Sequence, residues 1–384
     1  MNATQKYDVT VIGAGIVGAS CAFRLAQRGL SVAVIEAFGS HAEGSTGRSF
    51  ASIRGQWADP FNIDLSWRSI CSYRDFEAEH GVDVGYQPSG YLFLVPEEQW
   101  EQQLAAVELQ RQHGVPVEVL DVKAAQALTP FDAHGIAGGT WGSADGQVDP
   151  HLITTSYLGM ARAAGARVVY GSRVDAIVRE GDEWHVSAGS SCLVSEFVVN
   201  AAGGWSGEVA ALAGLSVPVA HSRRNVYGTA SGVLDRNIPM TIDIGTGAYM
   251  RSEGTRLLYG GARPDEVDGY QTHVDWPWME SLLEIAVDRF PWLADMPLDR
   301  QACWAGTYEN TPDHRAVIGP QPESPTWIDA CGFSGHGVMQ APEVGRIVAE
   351  QIAEGSVKTY DISGLAVSRF DDIQLQSSES TLVF

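Results

Sequence analysis

Positive charge is scarce in these 384 residues. Lys and Arg total 25 against 47 Asp and Glu, a formal net charge of −22. A chain this acidic lacks the basic face that nucleic acid or an anionic membrane surface requires, so neither is an expected partner. Cysteine is scarce too. Cys21, Cys71, Cys192, Cys303 and Cys331 form an odd, widely spaced set with no CxxC. That argues against a disulfide framework and against a zinc site; no metal is expected, and a reducing cytoplasm is the expected location. Long apolar runs are missing as well. The uncharged N-terminal run 9–23 is shorter than a bilayer span and is interrupted by Gly13, Gly15 and Gly18. Only Lys6 precedes it and no small-residue cleavage site follows, so neither a transmembrane segment nor a signal peptide is expected. What is abundant is core-forming material: 45% hydrophobic and 9% aromatic residues, which excludes a disordered chain. The length suggests two or three domains.

Residues 7–12 (YDVTVI) read as a buried strand closed by glycine. Residues 16–28 read as a helix with a small-residue face, stopped by Gly29. Residues 30–35 read as a second buried strand, ended by Glu36. Together they form a βαβ unit, which requires parallel strands and a right-handed crossover. Further along, 39–55 is a loop rich in Gly, Ser and Arg. Helices are expected over 62–80, 97–113, 151–164 and 278–290. Strands are expected over 90–95, 166–170, 173–179, 183–188 and 197–200, with a strand-rich stretch over 219–261. Near the C-terminus a strand at 327–330 leads into Gly332, Gly335 and Gly337 and then a helix to about 353. Pro342 is tolerable there only in or near the first turn.

Gly13-Ala14-Gly15-Ile16-Val17-Gly18 is a GxGxxG between a buried strand and a helix, with Glu36 ending the next strand. That context is the dinucleotide fingerprint. Gly13 permits the tight turn, Gly15 lets backbone approach a pyrophosphate, and Gly18 lets helix and strand pack closely. The helix N-terminus offers its dipole to the phosphates. Glu36 suits ribose hydroxyls. FAD and NAD both fit, and taken alone the motif also fits an ordinary strand-to-helix turn. A second glycine-rich helix start near the C-terminus favours the flavin. Reduced flavin carries negative charge that a helix N-terminus stabilises.

The longer motifs are VIGAGIVGASCAFRLAQRG with Glu36, Gly44-Ser45-Thr46-Gly47-Arg48-Ser49, Gly146-Gln147-Val148-Asp149-Pro150, VVNAAGGWS, WAGTYENTPDHRAVIG and CGFSGHGVMQAPEVGRIVAE. With these the chain resembles, over nearly its whole length, the FAD-dependent D-amino-acid oxidase family. That family includes sarcosine oxidase, glycine oxidase and D-amino-acid dehydrogenases. The last two motifs look most like β subunits of heterotetrameric sarcosine oxidase and proline dehydrogenase.

The resemblance implies an α/β, two-domain fold. A discontinuous Rossmann-like FAD-binding domain would take 1–85, 146–218 and 312–360. An antiparallel substrate-binding sheet with flanking helices would take 86–145 and 219–311, leaving 361–384 as a tail. It implies cofactor contacts from Gly13, Gly15, Ile16, Val17, Gly18, Glu36 and Ala37, and from Ser45, Thr46, Arg48, Ser49 and Ser52. Arg173 and Val174 would meet adenine, Ala202 and Gly203 the ribose or pyrophosphate. Gly306, Gly335, His336, Gly337, Val338 and Met339 would flank the flavin. Some relatives tether flavin through a cysteine at the position of Gly306, so FAD is expected to be non-covalent here.

The resemblance further implies oxidation of a C–N bond in an amino acid or N-substituted amino acid, by hydride transfer to flavin N5. A 2-hydroxy-acid oxidiser, a non-catalytic flavoprotein subunit or assembly factor, and a NAD-dependent dehydrogenase are the alternatives. Arg54 matches a carboxylate-binding arginine, Arg224 a substrate arginine, and Tyr249 an active-site tyrosine. Tyr308 stands where glycine oxidase has arginine, and Met339 where the sarcosine pattern has lysine. His336 would tune flavin charge or substrate protonation, or simply pack against the flavin. O2, a quinone or a protein is the expected electron acceptor. No lysine occurs in 256–260, where oxygen-using relatives carry one, which favours a dehydrogenase. An oligomer of like or unlike chains is also among the expected partners.

Overall fold

The strand Gln5–Ile12 organises the first of two large sheets in the computed structural model, which describes residues 5–371. It pairs in parallel with Val32–Ile35 on one side and with Ser191–Asn200 on the other. Ser324–Cys331 extends this row in parallel beyond Ser191–Asn200, and Arg167–Val169 does so beyond Val32–Ile35. Val32–Ile35 is buried throughout, as a parallel strand covered on both faces must be. Antiparallel partners complete eight strands: Val317–Gln321 at one edge, and Glu183–Ala188 with Ala176–Glu180 branching from Ser191–Asn200. The strands come from three separate stretches of chain, as the discontinuous Rossmann-like reading requires.

Helix Ile16–Gln27 packs between Pro150–Ala163 and the C-terminal helix Gly337–Glu354. Phe23 stacks on Tyr157 at 5.6 Å. Against the C-terminal helix the approach is closer: a Cβ at Gly345 would lie 2.3 Å from Ser20 Oγ and 2.7 Å from its backbone carbon. Pro342 sits beyond the first turn of that helix, further in than expected. A proline there leaves the Val338 carbonyl without its amide donor. The buried Tyr73 hydroxyl donates to that oxygen at 2.5 Å, so the break is repaired by a side chain from another helix.

The expected helix over 62–80 is two helices. Pro60–Arg74 is capped by Asp59, which accepts from Asn62 N at 2.9 Å, and Phe76–His80 ends at Gly81 with φ +71°. The loop over 39–55 contains a 3₁₀ turn, Thr46–Arg48, and a short strand, Ser52–Ile53.

The second sheet runs Trp304–Asn310, Ala220–Gly228, Arg256–Gly260, Tyr249–Glu253, Met240–Asp243, Tyr91–Pro96, Ile136–Gly142, Val117–Leu120. It is not wholly antiparallel: Met240–Asp243 and Tyr91–Pro96 are parallel. Ile136–Gly142 was not legible as a strand, because three of the seven residues in IAGGTWG are glycine. Its glycines answer to neighbours. A Cβ at Gly138 would sit 2.5 Å from the Leu120 carbonyl oxygen, and one at Gly142 2.0 Å from the Asp145 carboxylate. Val107, Val115 and Val117, within the stretch 86–145, join the core that contains the first sheet's helices.

Among the described residues all five cysteines are free, no cluster could hold a metal ion, and no helix is long and apolar enough to cross a membrane. Of the tail 361–384, residues 372–384 lie outside the described residues.

The Ser20–Gly345 contact makes a direct forecast. Gly345→Leu forces two close-packed helices apart, at a cost of about 1–3 kcal/mol. Thermal unfolding should show a lowered midpoint. Gly159→Leu, at a glycine whose Cβ would meet nothing within 4 Å, should leave it nearly unchanged.

Candidate active site

The parallel strands of the first sheet end together, and a cavity of about 820 Å³ opens where they stop. Gly13 turns the chain at the end of Gln5–Ile12 with φ +105°. A Cβ there would lie 2.4 Å from the Ala201 carbonyl oxygen, and one at Gly18 would lie 2.1 Å from the Gly13 carbonyl oxygen. Both positions therefore admit only glycine, for different neighbours. Gly13, Gly15, Ile16, Val17, Glu36 and Ala37 line this part of the cavity. Ile16 N donates to Thr46 Oγ1 at 3.1 Å, which ties the helix start to the 45–49 loop.

Glu36 is buried. Its Oε2 accepts from Ala14 N at 2.6 Å and its Oε1 from Phe38 N at 2.9 Å. Burial raises its pKa, and the amides of Phe38, Ala14 and Ala37 oppose the rise. A carboxylate has about four acceptor sites, so the side chain can hold its turn and still take a ribose hydroxyl.

Ser45, Thr46, Arg48, Ser49, Arg173, Val174, Ala202 and Gly203 also line the cavity. Arg173 turns its side chain outward to Glu208, at 3.2 Å. Arg48 Nε and Ser49 Oγ are buried polar atoms with no protein partner, as expected if a polar, anionic group occupies the cavity. Gly306, Gly335, Gly337 and Val338 also line the cavity. A Cβ at Gly306 would stand 2.8 Å from Arg48 Cβ and 3.1 Å from its carbonyl oxygen. A side chain at that position therefore meets Arg48.

Arg224, Tyr249 and Tyr308 share the same cavity. The Arg224 guanidinium lies 4.7 Å from the Tyr308 ring centroid. Its Nη1 donates to Ser222 Oγ and to the Arg223 carbonyl, both at 2.9 Å. Among the described residues no carboxylate pairs with Arg224 or with Arg48. Tyr249 is buried, edge-on to Phe50 at 5.3 Å, while the Tyr308 ring covers Gly335, where a Cβ would approach to 2.5 Å. Burial raises the pKa of both tyrosines, so both are neutral phenols.

Five expected site residues lie outside the cavity lining. Arg54 is fully buried behind it. Its guanidinium stacks on Trp57 at 4.0 Å and donates to the Gln56 carbonyl at 3.0 Å. His336 packs edge-on against the same Trp57 ring at 4.4 Å, and burial with Arg54 nearby holds its pKa well below the usual value. Gly18 serves packing, Ser52 pairs with Gln147, and Met339 lies in the helical core. Conversely, Phe50, Trp205, Tyr270 and Glu309 line the cavity without having been singled out. Glu309 and Trp205 lay inside quoted motifs. Tyr270 carried no local signal.

The comparisons agree with this geometry. The FAD dependent oxidoreductase model of the DAO family matches residues 8–351. The chain belongs to this family. It is 30% identical to the FAD-dependent oxidoreductase domain-containing protein 1 of Bos taurus, over 95% of this chain and 85% of that one. It is 26% identical to the mitochondrial sarcosine dehydrogenase of Mus musculus, over 92% of this chain but only 41% of that one. Among solved structures, L-proline dehydrogenase from P. horikoshii superimposes with a TM-score of 0.87 and 29% identity, covering 96% of this chain and 99% of that chain. This family member is a FAD-dependent oxidoreductase, and the residues around its cavity fit the cofactor.

Gly13→Ala tests the cradle. The substitution strains a left-handed residue and drives a methyl into Ala201, at a cost of about 1–3 kcal/mol. The purified variant should show a sharply reduced ratio of flavin to protein absorbance.

Proposed function

We propose that this flavoprotein oxidises the C–N bond of an amino acid or N-substituted amino acid whose carboxylate is held by Arg224. The observation that carries this reading is a guanidinium without a carboxylate partner, in the cofactor cavity and beside two neutral tyrosines. A planar guanidinium binds a carboxylate through two parallel hydrogen bonds, which fixes orientation as well as position. Arg224 is already held by Ser222 and by the Tyr308 ring, so little side-chain freedom is lost on binding. Tyr249 can donate its phenolic proton to the same substrate. The Tyr308 ring sets the floor over Gly335.

When bound, FAD supplies the two-electron acceptor for the hydride on the carbon next to nitrogen, and the imine product hydrolyses in water. The protein's part is positioning and exclusion of water. His336 is neutral and buried outside the lining, which suits a packing role. The chain has three lysines, Lys6, Lys123 and Lys358, and none lines the cavity. That supports an acceptor other than O2. The cavity lining also contains no cysteine and no histidine, which supports non-covalent FAD.

The test is anaerobic. Adding L- and D-amino acids, N-methyl amino acids and 2-hydroxy acids in turn should bleach the flavin with an amine substrate. Bleaching by 2-hydroxy acids alone, or by none of the panel, overturns the reading. Arg224→Ala should cost about 2–4 kcal/mol of substrate binding, a rise in KM of roughly 30- to 1,000-fold with flavin content unchanged. Arg54→Ala should instead lower the thermal midpoint and change KM little, because that side chain is enclosed by Trp57, Phe93 and Tyr91. Acid precipitation of the holoenzyme should leave all the flavin in the supernatant.

A further inference from the structure

We infer that Glu309 acts as a protonated carboxyl that donates a hydrogen bond to the bound cofactor, which makes FAD retention depend on pH. Glu309 lies near the end of the strand Trp304–Asn310 and lines the cavity. It sits between two glycine turns that border the same cavity. Cβ atoms at Gly203 and Gly337 would stand 3.8 Å from its Oε2 and 3.7 Å from its Oε1. A side chain at either glycine would lie in van der Waals contact with the carboxyl. Oε2 accepts from Gly332 N at 3.1 Å. The Phe333 amide also acts on the carboxyl, and no side chain among the described residues donates to it.

The charged and titratable neighbours do not neutralise this group. His221 is directly opposite across the strand pair. Its Nδ1 is 3.0 Å from Thr307 Oγ1, and burial lowers its pKa to about 4, so it is neutral. Arg223 is paired with Glu266 and Asp275. Arg224 is turned to Ser222 and Tyr308, and Arg48 lies against Gly306. Burial keeps the Cys331 thiol and the His336 ring uncharged. Among the described residues Glu309 makes no ion pair. Burial raises its own pKa to about 7, against the amides of Gly332 and Phe333.

The cofactor strengthens that preference. FAD brings a doubly anionic pyrophosphate into the cavity, and an ionised Glu309 would repel it in a poorly screened site. The protonated carboxyl turns the same group into a donor. Binding therefore favours the protonated form, so affinity is greatest below the free group's pKa and falls as pH rises through it.

The experiment uses the full-length holoenzyme, diluted at a series of pH values, with free FAD measured by its recovered fluorescence. The dissociation constant should rise about 10- to 100-fold from about pH 6 to about pH 9. Glu309→Gln keeps a neutral donor of the same size. Its dissociation constant should stay near the wild-type low-pH value across the range. A flat wild-type profile overturns the proposal without any variant. A slope that survives in Glu309→Gln also overturns it and assigns the titration to another cavity group such as Glu36. No substrate enters this experiment, so its failure leaves the amino-acid reading standing, and the converse also holds.

Discussion

The backbone contact between Gly13 and Ala201 constrains the placement of everything around the cofactor. Two parallel strands end side by side, and their turns meet so closely that the oxygen of one occupies the space of the other's absent Cβ. Because all the neighbouring strands are parallel, their following segments start on the same edge of the sheet. Ser324–Cys331 ends there too, and its glycine turn leads directly into Gly337–Glu354. Helix N-termini thus converge on one crevice, which is the general place for ligands in an open α/β sheet. The Ser20–Gly345 contact and the Tyr73–Val338 hydrogen bond then hold the late helix against the early one.

An acidic chain that binds an anionic cofactor must manage charge locally. It does so by sorting its arginines. On the strand Ala220–Gly228, Arg223 and Arg224 point to opposite faces, as successive strand residues do. Arg223 is tied up with Glu266 and Asp275 in a buried network that also takes in Arg263. Arg224 is left without an acid and faces the cavity. Arg54 represents a third treatment. It is enclosed by aromatic rings, with Asp145 close enough to act on its charge. Burial lifts Asp145 to about 7, while Arg54, Gln56 and Gly55 N oppose the rise.

Much of the cofactor end was legible along the chain. Gly13, Gly15, Gly18 and Glu36 are consecutive parts of one supersecondary unit, so their spacing carries the geometry. The late glycine turn could be read for the same reason. The substrate end was less legible. Arg54 and Arg224 are both arginines in plausible motifs, and only burial separates them: one lies behind Trp57, the other lines the cavity. The second sheet was harder still. Glycine-rich Ile136–Gly142 is a strand through its pairing with Tyr91–Pro96 and Val117–Leu120, with no room for side chains at Gly138, Gly139 and Gly142, and β-propensity is no guide to such a segment. The depth of Pro342 was also settled by a partner distant in sequence, the Tyr73 hydroxyl.

The sequence by itself determined the dinucleotide fold, the family and the chemistry available, because those depend on local spacing and backbone freedom. The tertiary structure decided which charges work. It paired Arg223, enclosed Arg54 and opened Arg224 to the cavity. It also set Glu309 in a place where burial raises its pKa to about 7. Charge placement depends on desolvation and on neighbours that meet only when the two sheets are folded, and no window along the chain contains them.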